Sequence, residues 1–515
     1  MMHRANLFLL LLLCTVVARA DVSPKYEMRG AWLATAYGID WPSERGTSAA
    51  VAARQKEELQ RIVTRLHDSG FNAVFFQVRP MADAFYKSSL EPWSYFLTGS
   101  RGAAPAYDPL EFCVALCHSM GMECHAWINP LRVGTRRPTT ARDIKNSSMW
   151  MTNTVGRSSM TIFNPALPEV RSHICAVCEE IASGYDIDGI VFDDYFYNPE
   201  FLPEDHRAAD WSDYVATARP DMTIASWRRG NINTLIAEVS STLSAIKNGT
   251  IRFGISPQGI GGGNGAHADA GVPTLPEYDV ITADSQYSKI YSDPVNWLRQ
   301  GLIDYISPQI YWTTDNPRHP YTGLARWWGF VANLFGRHCF PSQTIAPLVD
   351  DNSAEARAER LKQVRANRQA PAMNATGSVF YSATHLAGSK DTGLCDNLRD
   401  SVFIRPALIP PMTWRENVAR VTLSGLTLSD NNMLSWDAAG NCRYVIYALP
   451  PGVDWLEAIS PEGGLSQEYI IAITYTNTFT LPPQYSGWQI AVAPYDRYGF
   501  EWEPQFLSTS ESHSS

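Results

Sequence analysis

The chain has no long hydrophobic run beyond its first twenty residues. A helix that spans a bilayer needs about 20 consecutive apolar residues, so we expect no transmembrane segment. The sequence also lacks a Gly-rich phosphate turn after its first predicted strand, and its Cys and His residues lack the spacing of a zinc site. These absences predict a protein that requires no cofactor and no metal.

Basic residues are outnumbered by acidic ones, 42 Lys and Arg against 52 Asp and Glu, which gives a net charge of −10. Nucleic acids and anionic membrane surfaces attract basic proteins. The charge balance therefore disfavours nucleic acid as a partner and suits a neutral polymer such as a polysaccharide. It leaves the oligomeric state open.

The first twenty residues have the three parts of a secretory signal peptide. Arg4 supplies the positive start, residues 7–17 form the apolar core, and Ala18-Arg19-Ala20 is a small-x-small cleavage site. We therefore predict a signal peptide at residues 1–20 and an exported protein, located in the periplasm, in the cell envelope or outside the cell.

Cysteine is scarce, with nine residues in 515. Cys14 suggests a lipoprotein anchor, but Leu13 before it is larger than the residue usual at such a site, which favours plain cleavage. The other eight cysteines permit disulfides in an oxidising compartment. Cys113 and Cys117, at helical spacing, are equally well explained as buried thiols that pack a helix on a sheet.

Apolar segments of strand length alternate with helical patterns along most of the chain. Strands are predicted at 28–34, 72–78, 123–128, 189–194, 251–256, 305–310, 344–348 and 378–382. Helices are predicted at 51–69, 109–120, 169–183, 232–247, 295–300, 324–335, 354–368 and 396–403. Eight such units predict an α/β protein with a (β/α)8 TIM-type barrel, and a doubly wound open sheet is the alternative.

A Pro-rich stretch at 405–413 marks a change of pattern, because short alternating strands without helices follow it. We predict a small all-β sandwich there. Trp436 and the stretch 491–499 resemble a fibronectin type III domain. The predicted organisation is a signal peptide at 1–20, the barrel at 21–404, a linker at 405–413, the sandwich at 414–508 and a disordered tail at 509–515.

Alternation along the predicted strands sends polar side chains to one mouth of the barrel. Side chains of a strand point alternately to its two faces, and the active sites of such barrels lie at the C-terminal strand ends. The residues expected at this mouth are Gln77, Arg79, His125, Asn129, Asp193, Ser256, Gln309 and Tyr311. Asp194 has the opposite parity, so we expect it to orient Asp193 or to cap the segment that follows.

The segments that carry these residues resemble the glycosyl-hydrolase-like 10 family, also called domain of unknown function 187. They are 29–33 (RGAWL), 76–84 (FQVRPMADA) with Tyr86 and 92–94, 125–130 (HAWINP), 188–197, 253–257 (FGISP), 283–285 (ADS) and 303–312. The resemblance implies a TIM-type barrel that cleaves sugars. Relatives in this family act on peptidoglycan glycan strands stripped of their peptides, and the resemblance implies such a glycan of 2-acetamido sugars as substrate.

Glycoside hydrolysis needs an acid for the leaving oxygen and a nucleophile or base for the anomeric carbon. Asp193 is the best-placed carboxyl, as acid or nucleophile. The strand at 188–197 also loosely resembles that of family 18 chitinases, which suggests that Asp193 instead orients a substrate acetamido group that attacks the anomeric carbon. In that scheme a loop carboxyl, Asp83 by preference, is the acid. The catalytic candidates are thus Asp193, Asp83 and Asp194.

Flat aromatic rings and polar groups complete the expected sugar site. The substrate-binding candidates are Trp32, Gln77, Arg79, Tyr86, His125, Trp127, Asn129, Tyr195, Ser256, Asp284, Gln309, Tyr311 and Trp312. Arg79 is expected to hold a carboxylate or to form a structural ion pair. Two further functions remain open, a carbohydrate-binding barrel without catalysis and a surface adhesin that acts through its C-terminal domain.

Overall fold

A computed structural model describes residues 23–135, 150–155, 158–193, 196–197, 202–261, 272, 287, 290–369, 376–416 and 418–508. The predicted signal peptide and the predicted disordered tail lie outside these residues, as do Asp194, Tyr195 and Asp284. Within the described part of the chain, no helix combines the length and the apolar character needed to cross a membrane.

A curled sheet of parallel strands forms the centre of the molecule. In spatial order its strands are β10 (His338–Cys339), β9 (Tyr305–Ile306), β8 (Arg252–Ser256), β7 (Gly189–Asp193), β3 (Glu123–Ile128), β2 (Ala73–Arg79), β1 (Met28–Leu33), β12 (Gly377–Tyr381) and β11 (Ser342–Thr344). The two end strands of this order, β10 and β11, follow each other directly in the chain. β10 pairs with β9 and β11 pairs with β12, so the architecture is TIM-barrel-like.

Helices fill the connections between these strands. They are α1 (Ala49–Asp68), α2 (Tyr95–Thr98), α3 (Pro109–Ser119), α4 (Pro168–Gly184), α5 (Trp211–Thr217), α6 (Ile224–Ser244), α7 (Pro294–Arg299), α8 (Tyr321–Leu334), α9 (Ala354–Arg368), α10 (Ala383–Leu386) and α11 (Leu394–Ser401). Local sequence sets their starts. The Asp108 carboxylate accepts hydrogen bonds from two N–H groups in the first turn of α3, where Pro109 stands first.

Three of the departures of the structure from the sequence-based elements have a direct bearing on the barrel and its cleft. In place of the seventh strand, predicted at 344–348, the structure has two short strands that begin earlier in the chain, β10 and β11. Ala346–Val349 forms a short 3-10 helix. Pro341 interrupts this strand because it has no N–H to donate to a neighbour. Helix α6 begins eight residues before its predicted start, after the N-cap Thr223. A small antiparallel sheet of β4 (Arg132–Thr135), β5 (Trp150–Val155) and β6 (Ser158–Phe163) was not predicted.

The predicted alternation of the barrel strands is confirmed by two separate apolar clusters. Val74, Phe76 and Val78 of β2 pack outward on the helices, whereas Ala73 and Phe75 pack inside the barrel. Two strand glycines make room for the interior layer. A Cβ on Gly189 would stand 2.4 Å from His125 Nδ1, and one on Gly254 would stand 2.1 Å from the Tyr305 ring.

A smaller all-β unit follows the barrel and consists of antiparallel sheets. One contains β13 (Thr427–Leu428), β14 (Met433–Ser435) and β17 (Thr478–Thr480), and the other contains β16 (Ile470–Thr474), β15 (Cys442–Leu449), β18 (Gln489–Asp496) and β19 (Gln505–Phe506). Leu408 and Ile409, in the Pro-rich stretch before it, are buried. This stretch bonds back to the N-terminal segment, where Glu27 N–H donates to Leu408.

All eight cysteines of the described chain are free thiols. The Sγ atoms of Cys113, Cys117 and Cys124 lie within 4.8 Å of one another, and all three side chains are buried. They pack α3 on β3 as part of the outer apolar cluster.

The all-β unit closes the N-terminal end of the barrel through buried charges. Arg443 of β15 donates a 2.6 Å hydrogen bond to Glu123, whose other oxygen lies 2.9 Å from His125 Nε2. Arg497 pairs with Asp188 at 3.1 Å, and Tyr475 donates to the same carboxylate. Burial opposes the ionisation of Glu123, but the Arg443 charge and the His125 hydrogen bond outweigh it and hold the pKa of this carboxyl at about 2.

We expect Arg443→Met to lower the free energy of unfolding by about 3–5 kcal/mol, because it leaves the buried Glu123 carboxylate without its closest cation. Urea unfolding followed by tryptophan fluorescence and by far-UV circular dichroism measures the change. The matched control is Arg420→Met, which removes an exposed ion pair with Glu503 and is expected to cost less than about 1 kcal/mol. Equal losses in the two variants would contradict the prediction.

Candidate functional site

A cleft of about 220 Å³ lies at the C-terminal ends of the barrel strands. Its lining comes from six barrel strands (β1, β2, β3, β7, β8 and β12), from the segments that follow β1 and β9, and from β4. The described residues that line it are Trp32, Ala34, Ala36, Tyr37, Ile39, Gln77, Trp127, Arg132, Asp193, Ser256, Gln309, Tyr311 and Tyr381. This is the end of the barrel at which the sequence predicted a site.

Two side-chain amides hold the carboxylate of Asp193 at the end of β7. Asn129 Nδ2 donates to one oxygen at 3.0 Å, and Gln309 Nε2 donates to the other at 3.1 Å. Asp193 is 7% exposed, so it lies at the floor of the cleft with its orientation fixed from both sides. Ser256 supports Gln309, since its carbonyl oxygen accepts from the same amide at 3.2 Å.

Gln77 links this carboxylate to the segment after β1. Its Nε2 donates to Asn129 Oδ1 at 2.7 Å, while its Oε1 accepts from the N–H groups of Thr35 and Ala36, each at 2.8 Å. The amide chain Gln77–Asn129–Asp193 therefore spans three neighbouring strands. A Gln is needed for this arrangement, because one side chain must accept and donate at once.

Asp40 fixes the same segment from the other side without lining the cleft. Its carboxylate accepts from Ala34 N–H at 2.6 Å, from the Ser382 hydroxyl at 2.6 Å and from Thr384 N–H at 2.9 Å. Burial raises the pKa of Asp40 to about 6, in spite of these hydrogen bonds. Asp40 thus ties the end of β1 to the end of β12.

Aromatic rings form two walls of the cleft. Trp32 and Trp127 meet edge to face at 5.0 Å, and Trp32 Nε1 donates to Ser342 Oγ at 2.9 Å. Tyr311 and Tyr381 lie nearly parallel, with ring centroids 6.0 Å apart. Such faces are suited to stacking against the apolar sides of sugar rings.

Arg79 does not reach the cleft. A bulge between Gln77 and Arg79 shifts the pairing of β2 with β3, and a shift of one residue sends a side chain to the other face. The Arg79 guanidinium instead pairs with Glu91 at 2.5 Å and donates to two backbone carbonyls after β3. The structural ion pair, one of the two alternatives for Arg79, is the one observed.

Four other candidates are also placed elsewhere. Asp83 is buried beneath the segment after β2, where Met81 N–H donates to it and Arg101 lies 3.7 Å away. Burial raises the pKa of Asp83 to about 6. Tyr86 is fully buried against Tyr185.

His125 occupies an interior layer of the barrel below the cleft, between Glu123 and the Tyr305 hydroxyl. Trp312 is half-buried and packs on His319, with ring centroids 4.8 Å apart. Neither residue is among those that line the cleft.

The sequence model of the glycosyl hydrolase-like 10 family matches residues 27–333. A relative from Bacillus subtilis, glycosyl hydrolase YngK, is 32% identical over 414 residues, which cover 78% of this chain and 76% of that protein. The chain belongs to the glycosyl hydrolase-like 10 family.

A second curated relative agrees with this membership. Glycosyl hydrolase DigH of Escherichia coli K12 is 36% identical over 322 residues, 59% of this chain and 70% of that protein. Among solved structures, the catalytic domain of a β-amylase from Paenibacillus polymyxa is 10% identical, with a TM-score of 0.47 over 74% of this chain and 99% of that one. Family membership and the two relatives YngK and DigH identify the chain as a glycoside hydrolase.

Sequence reasoning missed several residues that line the cleft of this glycosyl hydrolase-like 10 protein. Tyr381 ends β12, and the alternation used for the other strands also applies to it. Tyr37 lies after β1, where the backbone turns with a φ of 59°. Arg132 lies on β4, in the small antiparallel sheet, which the pattern of apolar residues did not predict.

Among the described residues that line the cleft, Asp193 is the only carboxyl. Glycoside hydrolysis commonly uses two carboxylates, and the described lining of the cleft therefore supplies only one of them. Asp194 and Asp284, two acidic candidates from the sequence, lie outside the described residues.

We expect the pairing of Glu91 to make the fold sensitive to acid. Burial opposes ionisation of Glu91, but Arg79 and His173 outweigh it and lower its pKa from 4.5 to about 2. A carboxyl whose pKa is lower in the folded state stabilises the fold above its unfolded pKa, and this contribution is lost as the pH falls. Between pH 6 and pH 3 the loss is about 2 kcal/mol.

The measurement compares the free energy of unfolding of wild type and Glu91→Gln in urea at pH 6 and pH 3. The advantage of wild type over the variant should shrink by about 2 kcal/mol at the lower pH. An advantage that stays constant with pH would show that Glu91 is not held ionised by Arg79 and His173.

Proposed function

We propose that this glycoside hydrolase is exported and cleaves glycans of 2-acetamido sugars, with peptide-free peptidoglycan strands as its substrate. The observation that carries the proposal is the Asp193 carboxylate, held by two amides at the floor of an aromatic-walled cleft. The signal-peptide features of residues 1–20 support export. The fibronectin type III resemblance of the C-terminal unit stays a prediction.

Asp193 suits a substrate-assisted reaction. The carboxylate accepts the N–H of the substrate's 2-acetamido group, which turns the acetamido carbonyl oxygen toward the anomeric carbon. That oxygen forms a bond to the anomeric carbon as the glycosidic C–O bond breaks, and the leaving oxygen takes a proton from an acid. Water then attacks the anomeric carbon and gives one proton to the conjugate base of that acid, and the bond between the anomeric carbon and the acetamido oxygen breaks, which restores the acetamido group. Substrate assistance is a known exception to the scheme of two enzyme carboxylates.

The single carboxyl of the described cleft lining leaves each scheme one group short, because the substrate-assisted reaction also needs an acid for the leaving oxygen. In the direct scheme Asp193 is itself the acid or the nucleophile, and a second carboxylate must stand about 5–9.5 Å from it. Asp83, the acid that the sequence suggested, is buried away from the cleft. The same observation also favours a second candidate function, a barrel that binds carbohydrate without cleaving it.

Asp193→Asn tests the proposal. We expect it to lower turnover of amidase-treated peptidoglycan by about 10³-fold, because the amide has no negative charge to stabilise the reacting acetamido group and cannot carry a proton. New reducing ends, measured over time at substrate saturation, report turnover. Retention of more than about a tenth of wild-type turnover would remove Asp193 from the chemistry.

The matched control is Asp315→Asn, which changes an exposed carboxyl outside the cleft and is expected to leave turnover within about twofold. Wild type that binds the glycan and releases no reducing ends would favour the non-catalytic barrel.

A further inference from the structure

Three of the eight cysteines of the described chain converge on the outer side of the barrel wall. Cys113 and Cys117 lie one turn apart on α3, and Cys124 lies beside them on β3. Their Sγ atoms all lie within 4.8 Å of one another, and those of Cys113 and Cys124 approach to 3.9 Å. None of the three lines the cleft, so this cluster is separate from the candidate active site.

The distances between the sulfurs match those of a metal–thiolate site. Three sulfurs around one ion, each at a metal–sulfur distance of about 2.3 Å, stand about 4 Å apart. The Cys113–Cys124 separation is already 3.9 Å, and the other pairs reach this spacing by shifts of less than about 1 Å, which small torsional changes supply. The spacing of these cysteines along the sequence is not that of a zinc motif, because a helix and the strand after it bring them together in space.

One buried carboxylate holds the backbone around the three thiols. Asp188 Oδ2 accepts the Cys124 N–H at 2.8 Å and lies 2.9 Å from Nε2 of His118, the residue after Cys117 on α3. The charge of the same carboxylate is compensated by Arg497 at 3.1 Å. Asp188 therefore fixes the helix that carries two of the sulfurs relative to the strand that carries the third. Groups that orient metal ligands have this role.

The number of sulfurs and their burial indicate which ion fits. All three side chains are 0% exposed, and among the described residues the group that they form contains no carboxylate and no imidazole. Structural zinc is almost always bound by four ligands, iron–sulfur clusters use four cysteines, and calcium and magnesium require oxygen ligands. Thiolates are soft ligands that select Cu(I), and this ion is stable with three sulfurs and no water.

We propose that Cys113, Cys117 and Cys124 bind one Cu(I) ion, which links α3 to β3 on the outside of the barrel. The ion enters during folding, because the finished site is enclosed. Each thiol that binds as a thiolate releases its proton to solvent, and copper stays in the Cu(I) state, so no electron is transferred. The inference does not rest on the proposed function, since the three sulfurs lie outside the cleft lining.

The experiment measures the copper content of the full chain produced in cells that are supplied with copper. The purified protein is passed over a chelating resin, which removes loosely bound ions, and is then analysed by inductively coupled plasma mass spectrometry. We expect about one copper per chain. X-ray absorption at the copper edge should show Cu(I) with three sulfur neighbours at about 2.3 Å.

A double variant, Cys113→Ala with Cys124→Ala, leaves one sulfur and should lower the copper content at least about tenfold. The matched control is Cys178→Ala with Cys339→Ala, which removes two buried thiols that do not belong to the group and should retain the copper of wild type. Far-UV circular dichroism checks that both variants fold. The X-ray absorption measurement uses wild type alone, so it tests the inference even where a variant does not fold.

Wild type without copper would overturn the inference, whether maleimide labelling after unfolding finds the three thiols free or finds two of them joined in a disulfide. Zinc in place of copper would overturn the assignment to Cu(I), because it would require a fourth ligand. Copper that the double variant retains, or that is bound mainly through nitrogen, would place the ion elsewhere on the chain and would overturn the inference as well.

Discussion

The buried charge cluster around Glu123 fixes the interior of the barrel from its closed end upward. Glu123 bonds to Arg443 of the all-β unit on one side and to His125 on the other. His125 then reaches the Tyr305 hydroxyl at 3.0 Å and packs on Phe75. Removing any one member of such a buried cluster is strongly destabilising. The carboxylate or guanidinium that remains then has no partner of opposite charge in a medium of low polarity. The side chains of the barrel interior that lie above this cluster therefore pack on residues whose positions are fixed.

The two ends of the barrel use charge in opposite ways. At the closed end, the carboxylates of Glu123 and Asp188 face arginines, and these pairs stabilise the contact with the all-β unit. At the open end, neutral amides hold Asp193 in place. An amide orients a carboxylate through hydrogen bonds and brings no countercharge of its own, which suits the role proposed for Asp193 toward an oxocarbenium-like transition state or a substrate N–H. The buried ion pairs and the proposed catalytic carboxyl thus lie at opposite ends of one sheet.

Much of the barrel could be predicted because strand alternation is a local property. The interior positions of Phe75, Gln77 and Asp193 follow from the apolar residues between them. The same reasoning gave the wrong position for Arg79. A bulge depends on how β2 pairs with β3, and these two strands are far apart in the sequence. Glu91, its partner, lies in a connection without periodicity. The seventh strand was misplaced because the apolar run at 344–348 resembles a strand, while the true strand is split at Pro341.

The position of the all-β unit decides how it can take part in function. Arg443, Tyr475 and Arg497 occupy its contact with the barrel and insert into the closed end, opposite the cleft. A unit placed there does not line the cleft, so the contacts that bring a glycan to Asp193 come from the segments after the barrel strands. The small sheet β4–β6 is one such segment, and it contributes Arg132 to the cleft lining. Because this sheet is an addition to the repeating strand–helix pattern, its residues can change without disturbing the charge cluster below, which allows the substrate preference of a barrel to vary while its base stays the same.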